Sequence, residues 1–185
     1  MEQFSANTTC APNPTTLATK LANRAKLLRD QVIDATPSEK RFQFLAFNSG
    51  RQKYGIPLSD VLEIQALQYF SPVPKTPAFI PGVIHWRGAI LTLLDLDRLF
   101  GLPQSGLPDL HAYVIAEAAG RRVGLIAGEI EEVYAIPRGR LQSAPSMPGN
   151  IPAEWIIGIH ENQRLILNTA SLLQDPRLVE WRNNS

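Results

Sequence analysis

The side chains that could do chemistry in this sequence are three histidines, one cysteine and a short acidic run. A histidine that binds a metal usually stands at a fixed short spacing from a second ligand. His85, His111 and His160 show no such spacing, so we expect them to be packed or surface residues. Cys10 lies in a poorly patterned segment that could not hold a nucleophile rigidly. The sequence therefore predicts no metal, no cofactor and no catalytic residue.

The acidic run consists of Glu129, Glu131 and Glu132. On an alternating strand, Glu129 and Glu131 would share one face while Glu132 would point to the other. Acid–base or metal chemistry needs groups that converge with tuned pKa values, and no such set accompanies these three. We therefore interpret the run as a solvated strand face, and the chain as one without enzymatic activity.

Residues 76–91 suggest protein recognition instead. Trp86 and Arg87 precede Gly88 between two apolar runs, where a tight connection on a rigid scaffold exposes side chains. Tryptophan and arginine are residue types that often anchor protein interfaces. Gly82 and Gly88 do not mark a phosphate loop, because no Gly-Lys-[Ser/Thr] sequence and no strand-to-helix glycine pattern follows. The alternative is a tight turn that requires Gly88 and leaves Arg87 merely solvated.

The composition limits the class of partner. The 185 residues are 44% hydrophobic, and 18 basic against 17 acidic residues give a formal net charge of +1. Binding to nucleic acid or anionic lipid needs a concentrated positive surface, so this balance argues against both. A single cysteine forms no intrachain disulfide, and neither a signal sequence nor a membrane-spanning apolar run is found. We expect a cytoplasmic protein without direct membrane insertion.

The elements that position these residues begin with an amphipathic helix inside an N-terminal extension, residues 1–37. Apolar residues recur there every three or four positions, and Pro37 ends the pattern. Basic residues occupy much of the rest of the helix, which we interpret as a packed helix with a solvated face rather than a membrane-surface helix. The apolar positions are Leu17, Leu21, Ala25, Leu28 and Val32, and the basic ones are Lys20, Arg24, Lys26 and Arg29.

From Arg41 the sequence is rich in predicted strands and repeats itself. The segments 44–64 and 82–94 are echoed by 113–133 and 158–168. Each half predicts a hairpin, a further strand, a proline-rich connector, a glycine-led strand, and a last strand that runs into a short helix. Pro57 should fall at the end or the edge of its strand, because proline donates no ladder hydrogen bond.

These halves predict a mainly β fold of two small barrels or barrel-like sheets that form one composite domain over residues 38–175. Each barrel alone would have few apolar positions, so we expect a shared hydrophobic seam between them. The groove along that seam is the natural place for a partner to bind. Residues 176–185 are interpreted as a C-terminal tail.

The same residues resemble the CheW-like domain of bacterial chemotaxis coupling proteins. The resemblance covers roughly residues 41–173, and its most specific stretch is Phe-Ile-x-Gly-Val-x-x-x-Arg-Gly at 79–88. In place of the Asn-Leu that usually precedes Arg-Gly, this chain has His85-Trp86. The other matching segments are 54–56, 61–64, 76–78, 94–96, 123–126 and 132–133. The resemblance implies two SH3-like five-stranded barrels packed on each other as interlocked subdomains of one CheW-like domain.

The resemblance also implies a role as a non-enzymatic adaptor. Its partners would be the cytoplasmic tip of methyl-accepting receptors and the regulatory domain of a CheA-like histidine kinase, in a chemotaxis or a pilus-motility pathway, with recruitment to membrane-associated receptor arrays. Val61, Glu63 and Arg87 match family positions tied to receptor or kinase contact, and Gly82 matches one tied to kinase coupling. With Trp86 and Gly88 they form the predicted partner-binding set. The alternative is a small-barrel module that binds single-stranded nucleic acid or an unrecognised ligand.

Overall fold

The computed structural model describes residues 41–103, 111–142, 151–161 and 163–178. The predicted N-terminal helix, and all but the first three residues of the predicted tail, lie outside these ranges. The described part contains ten strands in two five-stranded sheets, which confirms the predicted mainly β fold with two small barrels. No helix within these ranges has the length and apolar character needed to cross a bilayer.

The elements follow the predicted order in each half. The first half supplies β1 (Arg41–Ser49), β2 (Gln52–Pro57), β3 (Val61–Ala66), β4 (Gly82–Trp86), β5 (Ala89–Leu94) and helix α1 (Leu96–Leu99). The second half supplies β6 (Ala112–Ala118), β7 (Arg121–Ala127), β8 (Ile130–Pro137), β9 (Ile156–His160), β10 (Arg164–Leu167) and helix α2 (Thr169–Leu173). There are also three short 3-10 turns. One precedes β3 (Leu58–Asp60), one follows β8 (Arg138–Arg140) and one precedes β9 (Ala153–Trp155).

Each sheet combines a hairpin from one half with three strands from the other. Barrel 1 has the strand order β8-β1-β2-β10-β9, and barrel 2 has the order β3-β6-β7-β5-β4. In both barrels one parallel pair, β2 with β10 or β5 with β7, joins strands that come from different halves. The chain crosses from barrel 1 to barrel 2 directly after Pro57, and it crosses back between β7 and β8, at residues 128–129. Pro57 is the last residue of its strand, as predicted. The two barrels are therefore interlocked by exchanged hairpins.

The two halves repeat each other in detail. Asp95 caps α1 by accepting the backbone N–H of Arg98, and Asn168 caps α2 by accepting that of Ser171. The backbone N–H of each cap also donates to an aromatic residue in its own half, at 2.9 Å for Asp95 to Phe79 and 2.7 Å for Asn168 to Trp155. Side-chain oxygens satisfy otherwise unpaired donors at a helix start. The internal repeat of the sequence is thus a structural repeat.

The largest apolar cluster lies between the barrels and draws on both of them. Fully buried side chains from barrel 1, such as Phe47 and Tyr54, meet Leu94 and Val114 from barrel 2 there. Each barrel also has a smaller core of its own. That of barrel 1 is formed by Phe42, Phe44, Ala46 and Ile166, and that of barrel 2 by Ile84, Trp86, Leu91, Leu93, Tyr113, Ile115 and Ile126. The apolar seam expected from the sequence is present as this shared cluster.

Candidate functional site

The β4–β5 hairpin presents Arg87 at its tip. Trp86 pairs directly with Ala89, so Arg87 and Gly88 alone form the turn. Both have positive φ, 48° and 81°, which is the signature of a type I′ hairpin turn. Glycine adopts this conformation without the steric penalty of a side chain. The tight turn that the sequence suggested at Gly88 is confirmed, and the Arg87 side chain is 70% exposed.

A single carboxylate fixes this hairpin to β3. Glu63 accepts a hydrogen bond from the indole Nε1 of Trp86 at 2.9 Å and one from Nη2 of Arg87 at 2.8 Å. Gln65 donates to the other carboxylate oxygen at 2.6 Å, and the Tyr113 hydroxyl donates to Gln65 in turn. We call Glu63, Gln65, Trp86 and Arg87 the Glu63 cluster. Sequence reasoning missed Gln65 and Tyr113, which β3 and β6 place opposite each other.

The Glu63 cluster keeps its carboxylate ionised. Burial by itself would raise the pKa of Glu63, but the hydrogen bonds from Gln65 and Trp86, together with the charge of Arg87, outweigh burial and lower it. Hydrogen bonds to the charged form of a carboxyl favour that form. The pKa of Tyr113 is raised, first by burial and then by the nearby negative charge of Glu63. The bond between Glu63 and Arg87 is therefore charge-assisted at neutral pH.

The indole ring of Trp86 supports this arrangement from below. Its side chain lies in the core of barrel 2, and the residue is 8% exposed. The guanidinium of Arg87 sits 4.8 Å from the centre of the indole ring, and that of Arg122 sits 5.9 Å from it. An arginine held over an indole face by a cation–π contact loses much of its freedom before it meets a partner. Arg87 is thus exposed and oriented at the same time.

Two exposed apolar side chains flank the cluster in sequence. A bulge in β3 between Val61 and Glu63 leaves Leu62 without a partner residue on β6, and Leu62 is 44% exposed. Ile90, three residues beyond Arg87, is 73% exposed. Val61 itself is half-buried and packs against the shared core. An exposed cation beside exposed aliphatic groups is suited to contact with a protein surface.

Gly82 is buried and lies at the start of β4, below the β4–β5 hairpin that it supports. The backbones of Ser71 and Val83 exchange two hydrogen bonds of 2.9 Å beside it. A Cβ atom at Gly82 would lie 2.3 Å from the carbonyl oxygen of Ser71, a distance at which the backbone must move. We therefore infer that any effect of Gly82 on partner binding is exerted through the position of β4.

We expect Gly82→Ala to lower the free energy of unfolding by roughly 1–3 kcal/mol, because overpacking against backbone cannot be relieved by a rotamer change. The measurement is chemical denaturation of both proteins. Gly139→Ala is the matched control, since a Cβ atom there would meet nothing within 4 Å, and we expect a change within about 0.5 kcal/mol. Equal stability of the two variants would show that β4 can shift away from Ser71.

The acidic run at 129–132 is the expected solvated face only in part, because Glu131 is largely buried in an ion pair. Glu131 accepts a hydrogen bond from Arg164 and lies 3.5 Å from the Nζ atom of Lys53. The Arg164 side chain is only 5% exposed, and its guanidinium sits 4.7 Å from the ring centre of Tyr134. Glu129 and Glu132 are exposed as predicted. A bulge between Ile130 and Val133 breaks the alternation on which the expectation rested.

The histidines differ in environment. His160 is buried beside Phe44, with ring centres 5.3 Å apart, while His85 is exposed on β4. Across the described ranges, no group of three or more His, Cys, Asp or Glu side chains is placed to hold a metal ion.

Comparison with known proteins extends the likeness over most of the chain. The CheW-like domain family matches residues 43–177. The chain is 30% identical to the chemotaxis protein CheW of Treponema pallidum, over 71% of this chain and 80% of that protein. It is 29% identical to the protein FrzA of Myxococcus xanthus, over 73% of this chain and 87% of FrzA. The fold is similar to the crystal structure of the scaffolding protein TtCheW from Thermoanaerobacter tengcongensis, with a TM-score of 0.66 and 24% identity, covering 78% of this chain and 95% of that one.

Proposed function

The chain belongs to the CheW-like domain family, and on that premise we propose that it links methyl-accepting chemoreceptors to a CheA-like histidine kinase. A role as a chemotaxis scaffold or adaptor follows from the family and its relatives. The finer proposal is that the chain binds the cytoplasmic tip of the receptors and the regulatory domain of the kinase, without enzymatic activity of its own. We propose that it is cytoplasmic and is recruited to receptor arrays at the membrane.

The observation that carries this proposal is the exposed, pre-oriented Arg87. Its guanidinium rests on Trp86 and is held by Glu63, yet most of the side chain faces solvent. An arginine in this position can donate further hydrogen bonds to carboxylate or backbone oxygens of a partner. Within the set predicted from the sequence, Glu63, Trp86 and Gly88 orient Arg87, whereas Gly82 and Val61 hold the strands β4 and β3.

We expect Arg87→Ala to weaken the binding of a proposed partner, the receptor tip or the kinase regulatory domain, about thirtyfold. This corresponds to roughly 2 kcal/mol of binding free energy, as for a lost interface anchor. The melting temperature of Arg87→Ala should stay close to that of the unchanged protein, because an exposed ion pair contributes little stability. Calorimetry with a receptor-tip helical bundle, and separately with a kinase regulatory domain, measures this effect. The two titrations also tell which of the proposed partners uses Arg87.

Arg140→Ala is the matched control, because Arg140 is an exposed arginine beside barrel 1 and its loss should leave both affinities unchanged. Equal affinity of Arg87→Ala and the unchanged chain for both partners would contradict the role given to Arg87. A much lower melting temperature for Arg87→Ala would make Arg87 an internal structural strut instead.

A further inference from the structure

A second arginine, Arg122 of β7, lies beside the Glu63 cluster. Its guanidinium is 5.9 Å from the centre of the Trp86 indole ring, and that of Arg87 is 4.8 Å from the same centre. The two positive charges are therefore no further apart than these two distances together. Trp86 takes the place of the leucine that usually precedes Arg-Gly in the family. The pairing of two arginines on one indole is thus not implied by the family resemblance.

Arg122 is both exposed and held in place, as Arg87 is. Glu117 stands opposite it on β6 and accepts a hydrogen bond from its Nε atom. The Arg122 side chain is nevertheless 50% exposed. A guanidinium has five N–H donors, so a bond through Nε leaves other donors for a partner. The cation–π contact with the indole limits the movement of both arginines before a partner arrives.

The surface around these two arginines has an excess of positive charge and one large exposed aliphatic side chain. Ile90 is 73% exposed, and together with Arg121 and Arg122 it lines a groove of about 340 Å³ over the shared core. An exposed ion pair contributes little stability, so carboxylates of a partner can bind these arginines without loss of the fold. Three arginines stand here against two glutamates, namely Arg87, Arg121 and Arg122 against Glu63 and Glu117.

We propose that Arg122 is a second partner-binding residue, and that Arg87 and Arg122 together bind two carboxylates on one face of a partner helix. Ile90 contacts an aliphatic side chain of the same helix. Acidic residues three or four positions apart on a helix are about 5–6 Å from each other, which fits within the limit set by the shared indole. Contacts between guanidinium and carboxylate groups are charge-assisted and often bidentate. This role of Arg122 rests on the proposed adaptor function, because it gives the chemistry of the surface that the adaptor binds.

The preference for acidic helices is tested in the full chain labelled with 5-fluorotryptophan. The chain has three tryptophans, and Trp86→Phe identifies the fluorine resonance of Trp86. The probe is an alanine-based helical peptide with two glutamates four residues apart and a leucine on the same face. We expect the peptide to shift the Trp86 resonance. Arg122→Gln keeps a donor for Glu117 and should weaken peptide binding about tenfold, as for the loss of a charge-assisted hydrogen bond.

Arg138→Gln is the matched control, because Arg138 is an exposed arginine 5.6 Å from the ring centre of Phe42 in barrel 1. We expect this variant to bind the peptide as the unchanged chain does. A peptide with glutamines in place of the two glutamates should cause no shift, and added salt should weaken binding of the glutamate peptide. If the glutamate peptide does not shift the Trp86 resonance at millimolar concentration, or if Arg122→Gln binds it equally well, the role given to Arg122 is wrong.

The link to the proposed function is tested by calorimetry with the receptor-tip helical bundle. We expect Arg122→Gln to weaken this binding about tenfold and Arg138→Gln to leave it unchanged. If Arg87→Ala weakens the binding and Arg122→Gln does not, Arg122 lies outside the interface, and the proposed function stands without it. If the unchanged chain does not bind the bundle, the proposed function is contradicted, and the peptide experiment still decides whether Arg122 binds acidic helices.

Discussion

Glu131→Ala is expected to lower the free energy of unfolding by roughly 3–5 kcal/mol, because it leaves the Arg164 guanidinium buried without its counter-charge. The Arg164 side chain is 5% exposed, and Glu131 is its ion-pair partner. Arginine does not lose its proton in proteins, so the charge cannot be removed by a shift of pKa. The Nε atom of Arg164 is buried without a hydrogen-bond partner already, which leaves little to compensate the loss.

Glu117→Ala is the matched control for this variant. Glu117 accepts a hydrogen bond from Arg122 in the same way, but the Arg122 side chain is 50% exposed. Water can solvate that guanidinium once its partner is gone, so we expect a change within about 1 kcal/mol. Chemical denaturation of both variants under the same conditions measures the difference. Similar losses in the two would mean that burial does not decide the strength of the Glu131 pair.

The internal repeat suggests how the stability can be restored. Gly55 pairs with Ile166 in barrel 1, and its equivalent Gly124 pairs with Leu93 in barrel 2. Ile166 is thus equivalent to Leu93. Two residues earlier on the same strands, Arg164 of barrel 1 is equivalent to Leu91 of barrel 2. In the internal repeat of the sequence, Glu131 aligns with Leu62. The double variant Glu131→Leu/Arg164→Leu therefore gives barrel 1 the residue types that barrel 2 has at the equivalent positions, Leu62 and Leu91. We expect it to be about as stable as the unchanged protein or more so, as for other buried ion pairs replaced by apolar side chains.

The ion pair between Glu131 and Arg164 could not be predicted from the sequence. Hairpins, the turn at Gly88 and the strand end at Pro57 follow from local chemistry, and the structure confirms each of them. The environment of Glu131 depends on a bulge opposite Ala46, and one extra residue in a strand changes which face each following side chain occupies. A strict alternation therefore assigned Glu131 to the wrong environment.

The candidate site was predictable in part for a similar reason. Arg87 and Trp86 were identified from residue type and from the adjacent glycine, which are local signals. Their link to Glu63 joins residues 24 positions apart, and only the family resemblance pointed to Glu63. Gln65 and Tyr113 gave no signal, because their bond depends on the pairing of β3 with β6. Polar residues that support a site from an adjacent strand are hard to single out in one sequence.

Which strands exchange between the halves could not be predicted either. The repeat makes the hairpin β1–β2 equivalent to β6–β7, so both have the pattern needed to stand beside β3 or beside β8. Only the non-local pairings β1 with β8 and β3 with β6 distinguish the interlocked arrangement from two separate barrels. Hydrophobic patterning specifies strands and faces, and it does not specify which of two equivalent partners a strand selects.

This exchange leads to the last prediction, that residues 41–103 alone do not fold cooperatively. In the intact protein β6 and β7 separate β3 from β5, while β1 and β2 lie between β8 and β10. The isolated half would thus have neither sheet complete. Even if β1–β2 took the place of β6–β7, the side of that barrel that faces the shared core would be open to water. Phe47, Tyr54, Leu94, Leu96 and Phe100 are all fully buried in that shared core.

Each such side chain contributes about 1.5–3 kcal/mol when it is fully buried, so exposing several of them removes as much free energy as a small domain has in total, roughly 5–15 kcal/mol. We therefore expect no sharp thermal transition by circular dichroism for residues 41–103, and none for residues 111–178. Mixing the two fragments should restore a cooperative transition, because each then supplies the hairpin that the other lacks. A sharp transition in residues 41–103 alone would show that one half can close its own barrel and that the shared core is dispensable.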